Sequence, residues 1–221
     1  MWTLLRTGDR RQALNRATSL WGSLGTRAAG IRLSVEGAEH LDLRPAVFVL
    51  NHQSGIDPIL VCALLRRDFV GVAKGRIRRN PILGPAFGFA GTVFVDREQG
   101  TDPERALWPG VEACQQGLAI AVAPEGRRGD GVSIGRFKKG AFHVALDTGA
   151  PIVPIVIRDA GQILPRSGWI MRSGVVHVRV LDPIPTTDWT SNSLNQRVEE
   201  IEALYRTTLG DAATWKADVS L

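Results

Sequence analysis

Ala46-Val47-Phe48-Val49-Leu50-Asn51-His52-Gln53-Ser54-Gly55-Ile56-Asp57-Pro58 is the stretch whose reading decides the fold class. Ala46 to Leu50 is an unbroken apolar run without alternation, the pattern of a strand covered on both faces. Gly55 marks a turn, and Asp57 before Pro58 reads as a helix N-cap with proline at the first helical position. A buried strand that passes through a short loop into a helix is half of a βαβ unit. The rest of the chain repeats it. Strands are expected at Phe69–Ala73, Thr92–Val95, Leu118–Ala123 and Ile152–Ile157, and helices at Pro58–Arg67, roughly Asn80–Phe89, Pro103–Gln116 and Lys139–Thr148. The expectation is a single α/β domain whose mixed, largely parallel sheet is flanked by helices.

Outside this core, Val175–Leu181 alternates, with Val176, Val178 and Val180 on one side and Val175, His177 and Arg179 on the other, which predicts a position near a sheet edge. Pro154, in the middle of Ile152–Ile157, argues for an edge strand or a bulge. Ser193–Leu209 reads as a closing helix. Residues 2–29 read as a helix interrupted by Gly8, Gly22 and Gly25, so the chain divides into an N-terminal amphipathic segment, 1–31, and a domain, 32–221.

With 44% apolar and 22% charged residues, the chain has the composition of a folded domain and not of a disordered segment. Cys62 and Cys114 are too few for a disulfide framework and read as buried, reduced thiols. Neither His-Glu-x-x-His nor a paired Cys-x-x-Cys occurs, so no metal is expected. The net charge of +5 is unevenly spread. Basic residues concentrate in 1–32, in 66–79 and in 127–139, which points to anionic partners: phospholipid, nucleic acid or a phosphorylated small molecule. No run reaches the ~20 apolar residues of a spanning helix, and the N-terminus does not read as a signal peptide. A chain of this kind would lie on a membrane.

Four segments carry the chemistry, each with a bland alternative. His52 and Asp57, five residues apart across a short loop beyond a strand's carboxyl end, form either a base with its orienting carboxylate or a loop histidine beside a helix cap. Gly91-Thr92-Val93-Phe94-Val95-Asp96-Arg97 ends a strand in an arginine that grips a phosphate or pairs with a neighbouring acid. Pro124-Glu125-Gly126-Arg127-Arg128 is a turn that carries two guanidiniums to the same edge, or an ordinary charged turn. Ile152–Ile157, with its central proline, is a strand beside a site or plain core. His40, His143 and His177 read as structural. No Gly-x-Ser-x-Gly elbow is present, which disfavours a serine nucleophile.

In this order, Asn-His-x4-Asp, Gly-x-x-Phe-Val-x-Arg, Pro-Glu-Gly-Arg-Arg and Val-Pro-Ile resemble the four blocks of the glycerolipid acyltransferase family, over about residues 33–181. The resemblance implies transfer of a fatty acyl group from acyl-CoA or an acyl carrier protein to a lysophospholipid hydroxyl, with no cofactor. It implies His52 as base and Asp57 as its partner. Lys74, in Val-Ala-Lys-Gly, is implied in phosphate binding, and Arg97, Glu125, Gly126 and Arg128 are implied as acceptor contacts. The family usually has Thr where Arg127 stands, so an extra positive charge is expected beside the acceptor head group. 1-Acylglycerol 3-phosphate is the expected acceptor; glycerol 3-phosphate, another lysophospholipid or a lyso-amino-lipid are alternatives. A basic nucleic-acid-binding module and a non-catalytic lipid-binding relative are the rivals from other classes. The first lacks a recognisable nucleic-acid motif, and His52 with Asp57 argues against the second.

Residues 2–31 place Trp2, Leu5, Leu14, Ala17, Leu20, Trp21, Leu24 and Ala28 at mostly helical spacings among Arg6, Arg10, Arg16 and Arg27. Such a face either packs on the α/β domain or meets an anionic lipid surface. The resemblance favours the second, and with it a peripheral or monotopic place on the cytoplasmic face of a membrane.

Overall fold

A computed structural model of the chain describes residues 10–81, 83–89, 92–95, 107–129, 133–165, 168, 170–211 and 215. Seven strands form one sheet: β1 (Ile31–Glu36), β2 (Val47–Leu50), β3 (Phe69–Lys74), β4 (Val93–Val95), β5 (Ala119–Val122), β6 (Ile152–Arg158) and β7 (Gly174–Val180). Their order across the sheet is β1-β7-β6-β2-β5-β3-β4, and each neighbouring pair is parallel except β6–β7. The expected α/β architecture is therefore present.

Side chains of β2 explain why the sheet is covered twice. Val47 and Val49 enter one core with α5 (Trp108–Gln115), α6 (Gly140–Thr148) and α8 (Leu194–Gly210). Ala46, Phe48 and Leu50 enter a second core with α2 (Asp57–Leu65) and α7 (Ala160–Ile163). A strand whose two faces both meet helices has no position left for alternation, and all four residues of β2 are buried. Two short helices, α3 (Gly75–Arg78) and α4 (Leu83–Phe89), follow β3.

One expectation about the sheet's margin stands and one is corrected. β7 lies near an edge, one strand in, with β1 alone paired outside it from Ile31↔Gly174 to Glu36↔Arg179. The polar side of β7 is compatible with this interior place because Arg179 binds Glu36 of β1 at 2.7 Å and stacks on Trp215. β6 is interior as well, despite Pro154. Its ladder with β7 begins only at Ile155↔Val180, and the Pro154 carbonyl still accepts from Leu181 N–H. The bond that the ring cannot make falls where β7 ends.

The N-terminal helix α1 (Arg10–Ala28) is continuous through both of its glycines and packs on α2. Gly22 allows this. A Cβ there would stand 2.3 Å from the Ala63 nitrogen and 2.5 Å from the Cys62 carbonyl carbon, so the two backbones touch where a side chain would be. At its other end, Asn15 exchanges two 2.9 Å bonds with Asp68, and Arg11 binds the same carboxylate at 2.6 Å. The Arg11 hydrogen bond holds the Asp68 carboxyl below its usual range. The expected lipid-facing segment is thus also part of the fold. Its opposite side leaves Leu20, Trp21 and Leu24 exposed by 57, 42 and 56%.

Gly22→Ala tests this packing with a sign that helix propensity would not give. In an exposed helix the substitution stabilises by about 1 kcal/mol. Here overpacking against backbone costs about 1–3 kcal/mol or more, and a melting temperature lower by roughly 5–10 °C is expected. A raised melting temperature would show that α1 does not rest on α2.

Candidate active site

Strands β2, β5 and β3 are parallel, so their carboxyl ends lie along one sheet edge, the edge at which α/β sheets bind ligands. Beyond β2 stand Asn51 and His52; beyond β5, residues 123–128; at the end of β3, Lys74.

His52 Nδ1 lies 2.5 Å from Asp57 Oδ2. The same oxygen accepts the backbone N–H of Gln53 at 2.9 Å and of Ser54 at 3.1 Å. Asp57 is the first residue of α2, not its N-cap, and its carboxylate makes no capping bond to that helix. It turns back over the loop instead and meets the imidazole. The carboxylate side chain is 3% exposed and the imidazole 28%. A carboxylate accepts from Nδ1–H, which leaves Nε2 unprotonated, and among the described residues Nε2 has no hydrogen-bond partner.

The backbone of His52 is held from both sides by the loop after β5. Its N–H donates to Glu125 Oε1 at 2.8 Å, and its carbonyl accepts from Gly129 N–H at 2.7 Å. The other Glu125 oxygen accepts from Gly135 N–H at 2.8 Å. Glu125 is 5% exposed with both oxygens engaged, so it faces the loops and not an acceptor. Burial pushes its carboxyl above the ordinary carboxylate value, and the two N–H donors only partly offset this. Gly126 next to it has φ of 67°, a left-handed turn that favours glycine.

The cationic residues are distributed around this centre. A Cβ placed on Gly55 would be 3.4 Å from a guanidinium nitrogen of Arg128, so Arg128 lies over the turn between His52 and Asp57. Arg127 and Lys74 are exposed. Arg97 lies outside the described residues. Asn51, which the sequence reading did not separate from the motif, pairs its amide with Ile157 N–H and C=O at 2.7 and 2.8 Å. Ser54 donates to the Leu164 carbonyl at 2.7 Å, a structural role. His177 pairs with Asp159 at 2.9 Å, but on the polar side of β7 against Trp215.

A family model described as Acyltransferase matches residues 32–158, more than half of the chain. The chain belongs to the acyltransferase family. It is 33% identical over 181 residues to a 1-acyl-sn-glycerol-3-phosphate acyltransferase of Limnanthes alba, covering 80% of this chain and 63% of the relative. It is 32% identical over 187 residues to the human 1-acyl-sn-glycerol-3-phosphate acyltransferase alpha, 84% of this chain and 66% of the relative. An uncharacterised acyltransferase of Schizosaccharomyces pombe is 30% identical over 190 residues, 84% of this chain and 68% of the relative. The chain thus spans about 63% of the length of the Limnanthes relative. The crystal structure of the 1-acyl-sn-glycerophosphate acyltransferase PlsC of Thermotoga maritima superposes with a TM-score of 0.80 at 23% identity, over 98% of this chain and 89% of that one, and shares the fold.

Proposed function

We propose that this acyltransferase-family chain moves a fatty acyl group from an acyl-CoA or acyl carrier protein thioester to the hydroxyl of a lysophospholipid, with 1-acylglycerol 3-phosphate giving phosphatidic acid. The observation that carries the reading is the Asp57 carboxylate turned back onto His52 Nδ1 at 2.5 Å. His52 Nε2 takes the hydroxyl proton as the acceptor oxygen attacks the thioester carbonyl. The tetrahedral oxyanion then collapses, the C–S bond breaks, and the leaving thiolate takes the proton from the imidazolium. The oxyanion needs a donor, and the N–H groups of His52, Gln53, Ser54, Gly126 and Gly129 are already bonded within the loops. Lys74, Arg97, Arg127 and Arg128 receive the acceptor phosphate. The names of the relatives support lysophosphatidic acid as acceptor. Mass spectrometry after offering both donors with a lysolipid panel tests the assignment: phosphatidic acid is the expected product, and transfer only to another acceptor would overturn it.

The reading extends to a membrane. Ala17, Leu20, Trp21, Leu24 and Ala28 form an exposed stripe on α1, flanked by exposed Arg16 and Arg27, and Phe87 of α4 meets Trp21 edge-on at 6.3 Å. Among the described residues no helix is long and apolar enough to cross a membrane. The stripe lies on an anionic lipid surface at the cytoplasmic face, with the indole at head-group depth. Burying a large apolar side chain is worth about 1.5–3 kcal/mol. Combined Leu20→Ser, Trp21→Ser and Leu24→Ser is therefore expected to weaken co-sedimentation with anionic vesicles by roughly 10-fold or more. Turnover of a detergent-dispersed acceptor should be unchanged. Full vesicle binding by the triple variant would place the lipid contact elsewhere.

A further inference from the structure

We propose that α8 positions His52 for the reaction, through the hydroxyl of Tyr205. The inference rests on the assignment of His52 as base. Tyr205 lies outside the residues that the family model matches, and it is the only tyrosine of the chain.

The register of β2 on β6 runs Val47↔Ile152, Val49↔Pro154, and Val47 N–H donates to the Pro151 carbonyl. Continued regularly, the next rungs would join the Val49 carbonyl to Ile155 N–H and the Asn51 carbonyl to Ile157 N–H. The ladder runs on to Leu50↔Ile155. At the first of these rungs the Tyr205 hydroxyl joins in: it donates to the Val49 carbonyl at 2.6 Å and accepts from Ile155 N–H at 3.1 Å. At the second, the Asn51 side chain takes over, its Oδ1 accepting from Ile157 N–H at 2.7 Å. α8 is thereby tied to both strands at the last residues before His52.

The tie is rigid. Tyr205 is fully buried, its ring meets Phe137 edge-on at 5.2 Å, and burial raises the phenol well above its ordinary pKa, so it stays a hydroxyl. One turn earlier on α8, buried Glu202 accepts from Phe137 N–H in the loop that carries Glu125 and Gly135. One helix therefore fixes both the strand that delivers His52 and the loop that grips its backbone.

Tyr205→Phe keeps the ring and removes both hydroxyl bonds. The end of β2 then loses its tie to α8, and the His52 loop shifts. The expected result is a kcat lower by roughly 10-fold or more with both KM values within about twofold, since a small misplacement of the base harms the transition state and not binding. The same preparation should melt within a few degrees of wild type. A purely structural role would lower stability and leave the kcat of the folded fraction intact. Unchanged kcat in a folded Tyr205→Phe variant would overturn the inference while the activity stands; a wild-type protein inactive on every donor and acceptor would instead overturn the assignment of His52. Should Tyr205→Phe not fold, Glu202→Gln loosens the other arm of α8 and is read the same way: reduced kcat at constant KM supports the inference, and unchanged kcat overturns it.

Discussion

His52→Ala is expected to lower kcat by about 10²- to 10⁴-fold, the range a positioned general base supplies, with little change in melting temperature. The imidazole is 28% exposed and lies outside both cores. Its removal leaves Asp57 Oδ2 with the N–H groups of Gln53 and Ser54, so the loop keeps its frame. Asp57→Asn should be nearly as damaging for a different reason. An asparagine oxygen in the place of Oδ2 keeps His52 Nδ1–H and the two loop N–H groups, but a neutral amide does not stabilise the imidazolium that forms when His52 takes the proton. Steady-state kinetics checks both variants: more than about a tenth of wild-type kcat in either would remove His52 from the role of base, which should be worth at least about 10²-fold.

Glu125→Gln is expected to lower kcat by about 10²-fold through position alone, comparable to the effect of a 1 Å misplacement. Glu125 receives two N–H donors, from His52 and Gly135, and glutamine can receive only one. Its amide N–H faces the other, leaving a buried donor unsatisfied at about 1–3 kcal/mol. The pH dependence separates this role from the chemistry. Burial raises the folded-state pKa of Glu125 above the unfolded value, so the folded state binds the extra proton more readily in the window between the two. Stability linked to this group is therefore fully present below the ordinary carboxylate value and is lost as pH rises through the raised one. Activity runs the opposite way, because a protonated carboxyl holds the two N–H groups less strongly than a carboxylate does. Mild acidification should thus raise wild-type stability relative to Glu125→Gln while lowering wild-type turnover. Parallel melting and rate profiles test it, and a stability difference that does not vary across that window would refute the buried-carboxyl account.

The sequence makes much of this legible because βα units write each level into local pattern. The continuous apolar run of Ala46–Leu50 implies two covered faces, and the His52–Asp57 spacing implies a loop short enough for the two side chains to meet. What stays hidden depends on partners far along the chain. Ile31–Glu36 alternates cleanly between Ile31, Leu33, Val35 and Arg32, Ser34, Glu36, yet the adjoining helix and the glycines at 30 and 37 obscure it as a strand; without it, β7 reads as a margin. Glu125 looks like a substrate contact because turn position does not reveal that two backbone donors lie beneath it. Tyr205 is indistinguishable from an ordinary core aromatic on an amphipathic helix, since its partners, Val49 and Ile155, are 156 and 50 residues away. The two readings of the N-terminal helix are compatible because Gly22 and Gly25 face α2 while Leu20, Trp21 and Leu24 face outward.

The central claim is direct transfer: His52 acts as base, the acceptor hydroxyl attacks the thioester itself, and no acyl group rests on the protein. Rapid-mixing measurement of thiol release, with the intact mass of the protein followed in parallel, tests it most directly. Without acceptor, no burst of thiol and no added acyl mass are expected; with 1-acylglycerol 3-phosphate, thiol and phosphatidic acid should form in equal amounts. A burst stoichiometric with enzyme in the absence of acceptor, together with an acylated protein, would contradict the account.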